Sequence, residues 1–279
     1  MLGIVIRELP QSEDIEDSTN IIKKYVWDNF NLKLKYFQYY YDDAMDLNKS
    51  SKYFIHMPYT VKIENTHKYL HTLNTYLSKF GNKNIIIHLR KETPKQVGDF
   101  LEAYQQKFAF ASKPSKTKKS KSAKSDNLEF YNIYWEHSVG AGNKYFKIKE
   151  IQNLMLTLST RFGKKGEYRI KNNICLDTCH IHNMGYDIST SDKVIEYFKP
   201  IFKSAMITGC KLLIHLNDSV DPIGSEKDRH AYIGKTIWKD SDGYKKLIQM
   251  CEDTNTPYIL EIPNKNYMKG ININLSKII

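Results

Sequence analysis

Residues 173–187 read NICLDTCHIHNMGYD. The apolar run Ile174-Cys175-Leu176 stops at Asp177, Thr178, Cys179, His180 and His182, so an acid and two imidazoles stand where a buried strand would end. Carboxylate and imidazole at such a point are what a metal site or a general acid/base pair needs. Seven other runs share the apolar character: LGIVIRE (2–8), LKYFQYYY (34–41), KYFIHMPY (52–59), NIIIHLRK (84–91), FYNIYWEH (130–137), CKLLIHLND (210–218) and PYILEIP (257–263). With NICLDTCH (173–180) they make eight, each short and built of β-branched, aromatic or aliphatic side chains, as strands buried on both faces should be.

Segments of helical spacing lie between them. STNIIKKYVWDNF (18–30) opens on Ser18 and Thr19 as cap candidates, and NTHKYLHTLNTYLSKFG (65–81) ends on Gly81. TPKQVGDFLEAYQQKFAF (93–110) carries Pro94 in its first turn, and STSDKVIEYFKPIF (189–202) starts on Ser and Thr. Eight strands alternating with helices predict an α/β protein, a (β/α)8 TIM barrel forming one domain over 1–279, with its active site at the carboxyl ends of the strands. The second helix must be short, and only 16 residues follow Pro263 to supply the last.

The chain of 279 residues carries a formal charge of +11. Residues 113–125, KPSKTKKSKSAKS, hold six lysines and no acid, so about half of that excess sits on one segment that cannot build a core. The Lys/Ser-rich stretch 112–126 is therefore expected to be a disordered insertion on the bottom of the barrel. A loose grip on phosphates and a nuclear-import signal are its sharper readings. Apolar runs of five or six residues exclude a membrane span, and no amino-terminal stretch reads as a signal peptide, so an intracellular protein is expected. Cys175, Cys179, Cys210 and Cys251 lack CxxC spacing and read as reduced, buried small residues.

The chemistry collects at the strand ends. Successive runs deliver His56, His88, Glu136, Asp177 with His180, His215 and Glu261, and GSEKDRH (224–230) adds Asp228 and His230. One histidine after a strand is ordinarily a hydrogen-bonded core residue. Nine acids and imidazoles around one barrel mouth would be costly to bury without a cation among them. Nitrogen and oxygen donors without thiolates suit zinc or manganese, and nine donors exceed the needs of one ion, enough for two or three. His67 and His71 have helical i, i+4 spacing but read as a solvated face, while His137 and His182 neighbour the cluster as supporting groups. VGAG (139–142) reads as a flexible turn beyond Glu136.

Three of these blocks together resemble the endonuclease IV family of apurinic/apyrimidinic endonucleases. CLDTCHIHNMGYDI looks like its Asp-Thr-Cys-His segment with a following Gly-Tyr-Asp, HLNDS with GSEKDRH like its His-Leu-Asn-Asp and Asp-Arg-His pair, and ILEIP like its Leu-Glu-Thr close. The similarity covers residues 50–265. It implies three zinc ions, with manganese an alternative at one: His56 and His88 on the first, Glu136 bridging to a second that also takes Asp177, His215 and Glu261, and His180, Asp228 and His230 on the third. Glu136 and Glu261 would be the catalytic pair, with a water held between two ions and Glu261 orienting it. The implied substrate is double-stranded DNA with abasic sites, nicked on the 5′ side to leave a 3′-hydroxyl and a 5′-deoxyribose phosphate, in base excision repair, with 3′-diesterase activity as a possible accompaniment. A monomer without organic cofactor or membrane is expected.

The family opens the base stack at the lesion and fills the gap with side chains. Tyr59 matches its wedge tyrosine. Gln38, Tyr39 and Tyr40 fall where the family carries an inserting arginine, so base stacking by Tyr39 or Tyr40 is the expected replacement, and Arg229 is a further expected DNA contact. The chain departs from the family in GIVIRE, HLRKE and RHAYIGKTIW, which lack a histidine, small residues and Gly-Glu-Gly respectively. Two other readings compete: a sugar isomerase-like metal barrel, disfavoured by the Asp-Arg-His third site, and a non-catalytic DNA-binding protein that uses the basic segment.

Overall fold

In the computed structural model the structure describes residues 1–6, 14–40, 53–57, 63, 84–104, 131–162, 170–263 and 266–279. The elements in chain order are β1 (Leu2–Val5), α1 (Ile15–Phe30), β2 (Tyr36–Tyr40), β3 (Tyr53–His56), β4 (Asn84–Leu89), α2 (Pro94–Tyr104), β5 (Tyr131–His137), α3 (Ile148–Phe162) and β6 (Ile170–Asp177). They continue with α4 (Thr178–Asn183), α5 (Ser191–Thr208), β7 (Leu212–Leu216), β8 (Asp218–Ser219), β9 (His230–Ala231), α6 (Gly243–Asp253), β10 (Tyr258–Leu260) and α7 (Tyr267–Ile278). Eight strands close in the order β1-β10-β7-β6-β5-β4-β3-β2, all parallel, so each of the eight apolar runs is a barrel stave. β8 and β9 form a separate antiparallel pair above the barrel mouth.

Local chemistry sets the element ends. Thr93 caps α2 by accepting from Gln96 N at 3.2 Å, with Pro94 as the first helical residue, where its missing N–H costs nothing. Thr190 caps α5, which runs through Pro200 to an αL Gly209. α1 begins earlier than Ser18 and Thr19 suggest: Asp14 caps it, accepting from Asp17 N at 2.7 Å, and the two hydroxyl residues are buried inside the helix. The sixth run also differs, because its strand stops at Asp177 and the Thr-Cys-His that follows is helical. α7 supplies the last helix within the residues after Pro263, and Tyr267 Oη donates to the Val5 carbonyl, tying it to the first strand. Gly3 is required where β1 meets β2, since a Cβ there would lie 2.8 Å from Tyr36 Cβ.

The core has two parts. A large outer cluster lies between staves and helices, and a smaller one fills the barrel: Val5, Phe54, Ile86, Tyr134, Cys175, Leu213 and Ile259. Because strand side chains alternate, the residue two positions beyond each inner apolar one faces inward again, one layer higher. On β3 to β7 and just past β10 that step leads from Phe54 to His56, Ile86 to His88, Tyr134 to Glu136, Cys175 to Asp177, Leu213 to His215 and Ile259 to Glu261. The fold therefore seals the barrel with an apolar plug and raises an acid or imidazole layer at its carboxyl face. The helix of 65–81, the second connection and the 112–126 segment lie outside the described residues.

Candidate metal centre

Glu136 is the hub of that layer and is 1 % exposed. Its Oε2 lies 2.9 Å from His56 Nε2 and 3.2 Å from His88 Nε2, and its Oε1 lies 3.0 Å from His215 Nδ1. From His215 Nδ1 it is 3.5 Å to Glu261 Oε2 and 3.7 Å to Asp177 Oδ2. Across the mouth, His180 Nε2 and His230 Nε2 converge on Asp228 Oδ1 at 3.2 and 3.1 Å. His56, Glu136 and His215 form one compact donor set, Glu136, Asp177, His215 and Glu261 a second, and His180, Asp228 and His230 a third.

The second set grows out of the helix start after β6. Asp177 caps α4 through Oδ1, which accepts from His180 N at 2.9 Å, while Oδ2 accepts from Asn217 Nδ2 at 2.9 Å and faces the centre. Capping thus fixes the carboxylate and swings His180 into the mouth one turn later. Asn217 also accepts from Cys179 N at 3.0 Å, and Thr178 Oγ1 donates to the Asn217 carbonyl at 2.6 Å, so the ends of β6 and β7 are locked together. Next along, Asp218 accepts from the backbone N–H groups of Gly234, Lys235, Thr236 and Ile237 at 2.6–3.1 Å, anchoring the loop that follows the His230 strand.

Charge in the layer is tightly matched. Burial would raise the Glu136 carboxyl, but His215 and His88, with hydrogen bonds from His215 and His56, hold it well below the usual carboxylate range. Asp177 and Asp228 are likewise pulled down against burial by the imidazoles around them. Burial pushes His88 down to about 3 despite Glu136. Against burial, Asp177 and Asp228 hold His180 well above the ordinary imidazole value, Cys175 with Glu261 and Glu136 does the same for His215, and Asp177 with Asp228 and Glu261 takes His230 up to about 9.

The donor chemistry fits a metal. His56 Nδ1 donates to the Met57 carbonyl at 3.0 Å and His180 Nδ1 to the His137 carbonyl at 2.8 Å, so Nε2 is the nitrogen each ring turns to the centre, where an ion would take the place of a proton. A carbonyl behind the ring is the usual support of a metal-binding histidine. Nε2 of His180 and of His230 are sealed from water and make no hydrogen bond of good geometry, although both face the same carboxylate oxygen. Burial and Asp177 push the Cys179 thiol up, so that neighbour is a poor thiolate donor and the site is one of nitrogen and oxygen.

All nine residues read from the sequence as ligands thus lie around one mouth. The expected DNA contacts divide. Tyr39 is 1 % exposed, turned outward against α1 where its hydroxyl meets Thr19 Oγ1 at 3.0 Å, so it cannot stack on a base. Gln38 is fully buried in the ligand layer rather than on a gap-filling loop, and Tyr40 stands beside it with its ring 5.0 Å from His56. Strand parity explains both placements, because positions 38 and 40 point inward and 39 outward. Arg229 pairs side-on with Asp221 through Nε and Nη2 and keeps an exposed side chain between two ligands. Tyr59, His67 and His71 lie outside the described residues. His137 acts in support: its Nε2 accepts from Asp177 N at 3.0 Å, and burial pushes it down to about 3. Sequence reasoning missed the parts of Gln38, Asn217 and Asp218. Parity on β2 pointed to the first, and the adjacency of Asn217 and Asp218 to His215 was the only sign of the others.

No protein-family model matches the chain. Among curated proteins it is 39 % identical over 125 residues to "Probable endonuclease 4" of Clostridium beijerinckii, covering 44 % of this chain and 39 % of that one. A protein of the same name from Aquifex aeolicus is 31 % identical over 151 residues, covering 53 % and 49 %. The matched region thus spans half or less of these relatives' length. Over nearly the whole chain the fold is similar to that in "The crystal structure of AsfvAP:AG", with a TM-score of 0.74 at 17 % identity, covering 99 % and 96 % of the two chains. It is also similar to endonuclease IV from Thermus thermophilus, with a TM-score of 0.62 at 17 % identity, covering 99 % and 98 %.

Proposed function

We propose that this chain, which resembles proteins named probable endonuclease 4 over about half its length, is a member of the endonuclease IV family and a metal-dependent apurinic/apyrimidinic endonuclease that hydrolyses the phosphodiester 5′ to an abasic site in double-stranded DNA. The observation that supports this most is the nine-residue mouth: three donor sets holding eight of the residues, two of the sets sharing Glu136, with His88 set against that same carboxylate, where a barrel enzyme keeps its active site. Zinc suits the nitrogen-and-oxygen donors, with three ions for three sets and manganese an alternative at one. Bound there, such ions supply Lewis acidity, favouring ionisation of an attacking water and the negative charge of the departing 3′-oxygen.

The protein's own groups do the rest. Glu136 holds His56, His88 and His215 in one geometry, so the inner face is preorganised before substrate arrives. Glu261 turns Oε2 toward His215 and His230, between the inner and outer sets, where a carboxylate can orient a water and take its proton. Asp228 lies at the exposed rim of the mouth, so the His180–Asp228–His230 set is the part a phosphate approaching from solvent meets first. Arg229, exposed beside it and held side-on by Asp221, would offer its remaining N–H groups to a DNA phosphate.

Incision of a duplex carrying one tetrahydrofuran abasic analogue, which cannot undergo β-elimination, tests the proposal. A nick on the 5′ side with an end that a polymerase extends is the expected product. No nick from protein holding its ions would refute it and move the barrel to another substrate class, a sugar isomerase first.

A further inference from the structure

We propose that Gln38, with Tyr40, is a positioning residue that fixes which nitrogen of His215 and which oxygen of Glu261 face the metals. The inference rests on the metal reading above. Gln38 is fully buried and makes two contacts: its Nε2 lies 2.6 Å from Glu261 Oε1, and its Oε1 lies 2.8 Å from His215 Nε2. A carboxylate only accepts, so the Gln38 amide must give its NH2 to Glu261. Its carbonyl then faces His215, so His215 Nε2 carries the hydrogen and Nδ1 is the nitrogen left to bind. Nδ1 is the atom that faces Glu136, Glu261 and Asp177 at 3.0, 3.5 and 3.7 Å.

The same amide sets the other ligand. Glu261 Oε1 receives Gln38 Nε2 and, at 3.1 Å, the Tyr40 hydroxyl. With Oε1 engaged by two donors, Oε2 is the one oxygen turned to His215 and His230, at 3.5 Å from each. One glutamine on β2 therefore ties the binding atoms of two ligands carried by the neighbouring strands β7 and β10. It does for His215 what backbone carbonyls do for His56 and His180. β7 and β10 offer no such carbonyl because His215 Nε2 points across the barrel toward β2.

The test compares wild-type protein with Gln38→Met, which keeps length and removes both hydrogen bonds, and with Tyr40→Phe. Zinc content, zinc affinity by chelator competition and the visible spectrum of the cobalt-substituted protein are read, with melting as a check on folding. Gln38→Met is expected to lower affinity for one ion by roughly 10- to 100-fold and to change the cobalt spectrum. Tyr40→Phe is expected to lose about fivefold, and it decides the matter should Gln38→Met fail to fold. Zinc affinity and cobalt spectra unchanged in the folded variants would overturn the inference. A wild-type chain that binds no divalent ion would overturn the metal reading itself, a result that none of the variants can mimic.

Discussion

Replacing Glu136 by Gln is the sharpest test of the bridging carboxylate. The change keeps shape and removes one negative charge from a group that is 1 % exposed and lies 2.9, 3.0 and 3.2 Å from three imidazoles. Two of these contacts are hydrogen bonds, from His56 and His215. A charge-assisted hydrogen bond is worth roughly 1.5–3 kcal/mol, so about 3–6 kcal/mol of organisation is removed, which at about 1.4 kcal/mol per decade corresponds to roughly 10²- to 10⁴-fold. The expected outcome is a fall of that size in incision of the tetrahydrofuran duplex under single-turnover conditions. It should be accompanied by loss of at least one ion by elemental analysis and by retention of the His180–Asp228–His230 ion, to whose donor set Glu136 does not belong. Glu136→Gln protein that is folded, holds the wild-type number of ions and cuts within threefold of wild type would refute the reasoning.

Other expectations follow from the same geometry. Glu261→Gln should retain binding to abasic duplex in a gel-shift assay while incision drops by several decades, and near-normal turnover would remove Glu261 from the site's chemistry. Asp218→Asn leaves too few acceptors for the four short contacts from the 234–237 backbone and should lower stability by about 3 kcal/mol, read as a melting temperature lower by roughly 6–12 °C. In metal-free protein the His230 imidazolium, with its pKa raised to about 9 above an ordinary imidazole near ~6.5, contributes stability that is complete below the unfolded value. That contribution is lost as pH rises through the folded one, so the metal-free chain should melt lower at high pH. By the same sign, zinc uptake at neutral pH must displace protons from His230, His180 and His215, and an indicator dye should record acidification. No proton release would mean these imidazoles are neutral before the ion arrives.

What reached the sequence level is local. Eight apolar runs of strand length, punctuated by caps such as Thr93 and Thr190, determined the staves and their parallel closure, because a buried strand must be apolar on both faces. The acid or imidazole that ends six of these runs then determined most of the candidate ligands, since such groups occur at the end of a buried strand only where something compensates them. Tertiary structure decided the pairings. That Glu136 stands between His56, His88 and His215 follows from the stagger of β3, β4, β5 and β7 around a closed barrel, which no spacing along the chain records. The stretch 38–40 shows the same division. Its composition suggested exposed stacking groups, but the inward pleat of β2 and the closure of β1 on β10 carry Gln38 to Glu261, 223 positions away in sequence. Local pattern fixes which side chains are buried; which charges meet is a property of the closed barrel, where electrostatic contacts over about 3 Å depend on register.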